Sequence, residues 1–163
     1  MMFDNAIKEL EVNNFYNNMP FEPILLCDKR NIVVRSVNFK TNYNFILGYI
    51  QKKKDGSKVM YINKRLPKND IRYIVCCLLG VDILNIYKDN KYVKVNKMNI
   101  SKDEKLIDSF SKSLLINKNK LIEYYDLLKD IGFSNESILI SLSELFIVSK
   151  NLIEIRLKEL KKI

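Results

Sequence analysis

Apolar residues change their spacing near residue 64, from short runs typical of strands to the longer spacing of helices. Before that point, runs rich in β-branched and aromatic residues occupy positions 24–26, 32–37, 45–50 and 59–62. The dipeptide Asp55-Gly56 separates the last two runs, and it accepts the positive φ of a tight turn. The pattern therefore predicts a small antiparallel sheet that contains a hairpin.

The stretch 72–84 is nearly all apolar and predicts a buried helix. Pro67 precedes it and disfavours helix before that point, whereas Asn69 or Asp70 has a short polar side chain suited to capping the helix. The rest of the chain organises around this helix.

The later part of the chain predicts further helices. Ser101 and Glu104 have the spacing of a capping box, so a helix is expected to start there. Three more are predicted over 119–131, from Ser134 to 146 and from Ser149 onward, with Gly132 ending the first of them. Residues 3–14 predict a short first helix, and 92–95 alternate like a brief strand.

A chain of 163 residues suits a single domain, here 1–163 with a soft boundary near Gly132. The segment 1–43 forms the N-terminal part of this domain. Residues 134–163 predict a helix, a short turn and a second helix, which is the outline of a helix-turn-helix.

The helix over 72–84 has the setting in which zinc peptidases carry His-Glu-x-x-His, a motif that places two ligands on one helix face. Residues 72–81 resemble the pattern Arg-Phe-x-x-Ala-His-Glu-Leu-Gly-His of the ImmA/IrrE family of metallopeptidases. Arg72, Tyr73, Leu79 and Gly80 match it, and Cys76 stands at the small position.

Two other blocks are similar to the same family, so the resemblance covers about residues 44–160. The strand pair that leads into the zinc helix is matched by Gly48, Ile62 and Asn63, and the helix of the third ligand by Phe110, Leu114 and Leu115. Residues 145–160 resemble its closing turn and helix. The resemblance implies an α+β, zincin-like fold, with a small antiparallel sheet packed on a helical bundle and a helical C-terminus.

The same alignment implies that the active site is lost. Cys77 and Val81 stand at the two histidines, Leu78 at the catalytic glutamate and Leu106 at the third ligand. The chain has no histidine, which excludes a His-ligated zinc site, a Ser-His or Cys-His pair and a histidine base. We therefore expect no enzyme activity, no metal and no other cofactor, and we expect these four residues to pack as an apolar cluster.

The formal net charge of +9 is consistent with binding to nucleic acid or to an acidic partner. It is equally consistent with a solvated surface in a Lys-, Asn- and Ile-rich chain, because most lysines are scattered. The last predicted helix offers side chains that contact phosphates or bases in other proteins: Ser149, Lys150, Asn151 and Arg156.

The three cysteines are odd in number and two of them are adjacent, which favours a reduced, cytoplasmic protein. No apolar run is long enough to predict a membrane span, and the N-terminal residues predict no secretory signal.

Three functions remain open on these observations. The first is a pseudopeptidase that regulates a phage or mobile element by binding its repressor, recombinase or a similar protein. Such a protein is expected to hold an extended segment by strand pairing along Val59, Met60, Tyr61 and Ile62. The second is a small basic DNA-binding regulator that uses its C-terminal helices, and the third is a structural subunit of a larger assembly.

Overall fold

The computed structural model of the chain describes residues 20–39, 46–87 and 102–163, together with the backbone of residues 92–96. The α+β class is confirmed. The predicted helix over 3–14 lies outside the described residues. In chain order the elements are α1 (Pro23–Lys29), β1 (Ile32–Val37), β2 (Ile46–Lys52), β3 (Lys58–Asn63), α2 (Lys68–Ile83), β4 (Tyr92–Asn96), α3 (Lys102–Leu115), α4 (Lys118–Asp130), α5 (Asn135–Phe146) and α6 (Lys150–Glu159).

The sheet has the strand order β1-β3-β2-β4. The predicted hairpin is confirmed, since β2 and β3 pair antiparallel and Gly56 adopts a φ of 85° in the turn between them. The expectation of a purely antiparallel sheet is wrong, because β1 pairs parallel with β3. After β1 the chain enters β2, which lies two positions away in the sheet and runs in the opposite direction. The hairpin then returns the chain as β3, which lies between β1 and β2 and runs parallel to β1.

Two helices differ from the sequence-based expectation, one in its type and one in its start. Residues 24–26, predicted as a strand, form the middle of α1. Pro23 begins this helix, where its fixed φ suits the first turn and its missing N–H is not needed. Helix α2 starts at Lys68 with Pro67 at the N-cap, so Asn69 and Asp70 lie inside the first turn and do not cap it.

The C-terminal helices begin where short polar side chains cap them. The Ser134 side chain accepts a hydrogen bond from the N–H of Ser137, and the Ser149 side chain accepts one from the N–H of Leu152. Helix α4 ends before Gly132, whose φ is 87°. These predicted starts and stops are confirmed.

Helices α1 and α2 pack against one face of the sheet, and α3 packs on α2. The contact between α2 and β2 needs a glycine in β2, because a β-carbon at Gly48 would lie 3.0 Å from Cγ2 of Ile74. One cluster of buried side chains contains residues of all six described helices, and Gly132 does not divide it. Among the described residues, no helix has both the length and the apolar character needed to cross a membrane.

Candidate functional site

The three residues of α2 that the resemblance aligns with two zinc ligands and a catalytic glutamate lie in the buried part of the helix. Cys77, Leu78 and Val81 are 3%, 0% and 0% exposed. In that alignment, aliphatic side chains and a thiol stand at the positions of the ligands and the base. All three residues belong to the buried hydrophobic cluster of the protein.

Helices α2 and α3 touch directly beside these residues. A β-carbon at Gly80 would lie 3.0 Å from Cδ1 of Phe110 and 3.7 Å from Cγ2 of Ile107. Glycine therefore allows the aromatic ring of α3 to rest on the backbone of α2. The two helices therefore make direct contact at Gly80.

Leu106 does not belong to this buried cluster, and its predicted place there is wrong. It is 41% exposed, whereas the next residue, Ile107, is 6% exposed. Successive residues of a helix point about 100° apart, so the face of α3 that holds Ile107 and Phe110 turns Leu106 towards solvent. The position aligned with the third ligand thus points away from Cys77.

A polar network surrounds Cys77 and joins three helices. The Tyr73 hydroxyl donates a hydrogen bond to Asp108, and the Lys112 ammonium lies 2.7 Å from the same carboxylate. Lys112 also lies 3.3 Å from Glu159 of α6. Only two features of the sequence hint at this network: the i,i+4 spacing of Asp108 and Lys112, and the aromatic residue Tyr73 beside Arg72.

The Cys77 thiol and the Tyr73 phenol both have raised pKa values and stay protonated at neutral pH. Burial raises the pKa of the Cys77 thiol to about 12, and this outweighs the hydrogen bonds with Ser111 and Tyr73 that lower it. Burial also raises the pKa of Tyr73, with further increases from the thiol and from Asp108. A protonated thiol and a protonated phenol supply neither a nucleophile nor a base at neutral pH.

Zinc does not fit this donor set. Zinc in proteins takes thiolate, imidazole or carboxylate ligands, and Leu78 and Val81 offer none of these. Cys77 is buried and protonated, and Leu106 is aliphatic and points away. In the described residues, no group of three or more His, Cys, Asp or Glu side chains is placed to hold a metal ion.

We expect purified protein to carry no stoichiometric zinc. Elemental analysis after gel filtration is the measurement, on protein expressed in zinc-supplemented medium. One zinc per chain that survives gel filtration would contradict the expectation, because the donors described above cannot hold it.

A second polar cluster forms around Asp82 near the C-terminal end of α2. Its buried carboxylate lies 2.8 Å from the Arg30 guanidinium and 2.7 Å from the Lys58 ammonium, and it accepts a hydrogen bond of 2.8 Å from the Tyr87 hydroxyl. Burial raises the pKa of Asp82, but the bonds from Lys58, Arg30 and Tyr87 together outweigh burial and hold the pKa below its usual value. Because its partners occupy it fully, this carboxylate fixes α1, β3 and the end of α2 together and is not available as a catalytic base.

The strand predicted to bind a partner lies in the middle of the sheet. Val59, Met60, Tyr61 and Ile62 belong to β3, which pairs with β1 on one side and with β2 on the other. Both edges of β3 are therefore used, and the prediction that it pairs with a partner segment is wrong. Within the described part of the chain, β1 is an outer strand, with Val33 52% exposed and Arg35 exposed.

The predicted helix–turn–helix outline at the C-terminus is present, but three of its four candidate nucleic-acid contacts have structural roles. Ser149 caps α6, and Lys150 forms an ion pair with Glu136. The Arg156 side chain is only 13% exposed, and it binds Glu159 at 2.9 Å and the Ser113 hydroxyl at 3.0 Å. Ser149, Lys150 and Asn151 are all exposed.

No protein-family model matches the chain, and a search of curated proteins gives no match either.

Proposed function

We propose that this chain is a pseudopeptidase of the ImmA/IrrE type, a non-catalytic regulator of a phage or mobile element. It binds a repressor, a recombinase or a similar protein of the same element, in the cytoplasm. The observations that carry the proposal are the direct contact of α2 with α3, where Phe110 rests on Gly80, and the burial of Cys77, Leu78 and Val81 in the core. A domain that keeps its core while its catalytic position is apolar has binding as its remaining activity.

The cysteines support a reducing location. Cys27, Cys76 and Cys77 are all free and buried. Burial also raises the pKa of the Cys27 thiol to about 12, so this thiol stays protonated and unreactive at neutral pH.

The outer edge of β1 is the surface that we assign to the partner. An edge strand presents a row of main-chain donors and acceptors, and an extended segment of another protein binds it by adding a strand. In the ranges that the structure describes, no strand pairs with this edge. Arg35 is exposed beside it, and the chain is strongly basic, so the segment that fits is extended and acidic.

Proline scanning of two neighbouring residues tests this edge. Consecutive N–H groups of a strand point to opposite edges, so one of Arg35→Pro and Ser36→Pro removes an outward N–H while the other breaks the pairing with β3. Both side chains are exposed, so neither substitution empties the core. We expect the variant that keeps the wild-type melting temperature to lose the partner in affinity capture from the native host.

The matched control is Asn151→Ala, an exposed change on α6 that is expected to capture the partner as the wild type does. Capture is run with and without nuclease, and the proteins and DNA that co-purify are identified. Equal capture by the wild type and by the stable proline variant would remove β1 from the account.

The alternative function is a small basic DNA-binding regulator that uses α5 and α6. The turn between these helices favours it, with Ile147 at a φ of 51° and Ser149 capping the second helix. Discrete DNA fragments that co-purify, with no protein partner left after nuclease, would support this alternative and contradict the pseudopeptidase proposal.

A further inference from the structure

The C-terminal end of α4 and the turn after it carry large apolar side chains at the protein surface. Leu127 is 53% exposed, Ile131 is 61% exposed and Phe133 is 44% exposed, and we call these three residues the α4 end surface. Leu127 and Ile131 are four residues apart and therefore lie on the same side of the helix. A different side of α4 packs in the core, where Leu121 and Tyr125 are buried. The α4 end surface is thus additional to the contacts that hold the helix in place.

The way in which α4 ends brings Phe133 to this surface. The N–H of Gly132 donates a hydrogen bond of 3.0 Å to the carbonyl of Lys129, and Gly132 has a φ of 87°. The N–H of Phe133 donates a hydrogen bond to the carbonyl of Leu128, also at 3.0 Å. This pair of bonds is the Schellman motif, in which the residue after the glycine commonly contacts the last turn of the helix. Leu127 and Leu128 lie in that turn, so Phe133 extends the apolar surface beyond the helix.

The positive charge of the protein is concentrated in the other part of the chain. Residues 20–101 hold 16 basic and 6 acidic side chains, a net charge of +10, whereas residues 102–163 hold 11 basic and 10 acidic side chains, a net charge of +1. Helix α4 itself has three basic and three acidic side chains. Six of the nine large apolar side chains that are exposed among the described residues belong to 102–163. The α4 end surface therefore lies on the nearly neutral and more apolar part of a strongly basic protein.

We propose that the α4 end surface is the contact between two copies of the chain in a two-fold dimer. Two copies with a net charge of +9 each repel one another most strongly where their basic parts meet. On α4 the positive and negative side chains are interspersed and balanced, so a second copy of the same helix is complementary to it in charge and in apolar character. Burying clustered apolar side chains releases the water around them and favours association.

This dimer does not rest on the proposed function. The residues that carry it lie on α4 and in the turn after it, whereas the partner segment is assigned to β1 and the lost catalytic positions lie on α2. Failure of the dimer would leave the pseudopeptidase proposal unchanged, and failure of partner capture would leave the dimer unchanged.

Sedimentation equilibrium of the full chain measures the association, from about 1 to 500 µM protein in about 0.1 M salt. We expect a reversible equilibrium between monomer and dimer with a dissociation constant in the micromolar range. Raising the salt to about 0.5 M is expected to change this constant by less than about threefold, because the contact is apolar and its charges balance. A chain that stays monomeric at about 500 µM, or a dimer that dissociates when salt is added, would overturn the proposal.

Two matched double variants locate the contact. Leu127→Gln combined with Ile131→Gln is expected to weaken the dimer at least about a hundredfold, because a two-fold contact loses each side chain twice. The control combines Ile24→Gln with Leu25→Gln, the same residue types on α1 at 41% and 57% exposure, and is expected to dimerise as the wild type does.

All four substituted positions are exposed, so urea denaturation is expected to give both variants a stability close to that of the wild type. Loss of the dimer in the α4 variant is then loss of the contact and not of the fold. Equal weakening by the two double variants, or a dimer that the α4 variant leaves intact, would overturn the proposal.

Discussion

Replacing Leu78 by glutamate is expected to destabilise the protein by about 4 kcal/mol, which is most of the stability of a typical small domain. This substitution restores the residue type that a zinc peptidase uses as its catalytic base. Leu78 is fully buried in the core, so the new carboxylate would lose its water without gaining a partner. The free energy of unfolding from urea denaturation measures the effect.

The control is Leu78→Met, which keeps the volume and the apolar character and is expected to cost less than about 1.5 kcal/mol. An open peptidase cleft would tolerate the glutamate, since the position would then face water. A Leu78→Glu variant as stable as Leu78→Met would therefore contradict the burial of this position in a closed core.

Replacing Asp82 by asparagine is expected to cost about 3 kcal/mol. The change leaves the Arg30 and Lys58 charges without their carboxylate partner. Water that still reaches both cations limits the destabilisation. The matched control is Asp126→Asn, which removes a half-exposed carboxylate paired with Lys162 and is expected to cost about 1 kcal/mol or less. Urea denaturation of both variants at neutral pH measures the difference.

The wild type and Asp82→Asn are also expected to differ in how their stability depends on pH. The folded-state pKa of Asp82 is lower than the ordinary value of 3.8, so its contribution is fully present above that value. It is lost as the pH falls from about 3.8 through the folded-state pKa. Between pH 4 and 2 the wild type is expected to lose more stability than Asp82→Asn, and equal losses would show that this carboxylate is not held by its partners.

Local chemistry explains why many elements could be predicted from the sequence. Asp55-Gly56 specifies the hairpin turn, and Ser134 and Ser149 specify helix starts, because each acts on its own neighbours in the chain. The buried helix over 72–84 followed from its nearly continuous apolar run. Periodicity also identified the core positions Phe110 and Leu114.

Pairing between distant segments could not be predicted in the same way. No local pattern places β3 between β1 and β2. The sequence-based prediction therefore assigned a partner segment to β3, although both edges of β3 are paired within the sheet. Exposure of single side chains was also missed. Leu106 differs from Ile107 by one position on the helix. Arg156 was taken as a surface cation, although it binds Ser113 of α3 and Glu159 of its own helix.

The most direct test of binding without cleavage uses the partner recovered by capture. The purified chain is incubated with that partner, and the complex is separated by gel filtration and weighed by intact mass spectrometry. The account predicts a complex that contains the full-length partner, unchanged after prolonged incubation with added zinc. A partner shortened at a defined peptide bond, in an amount that grows with time and with the concentration of the chain, would contradict it.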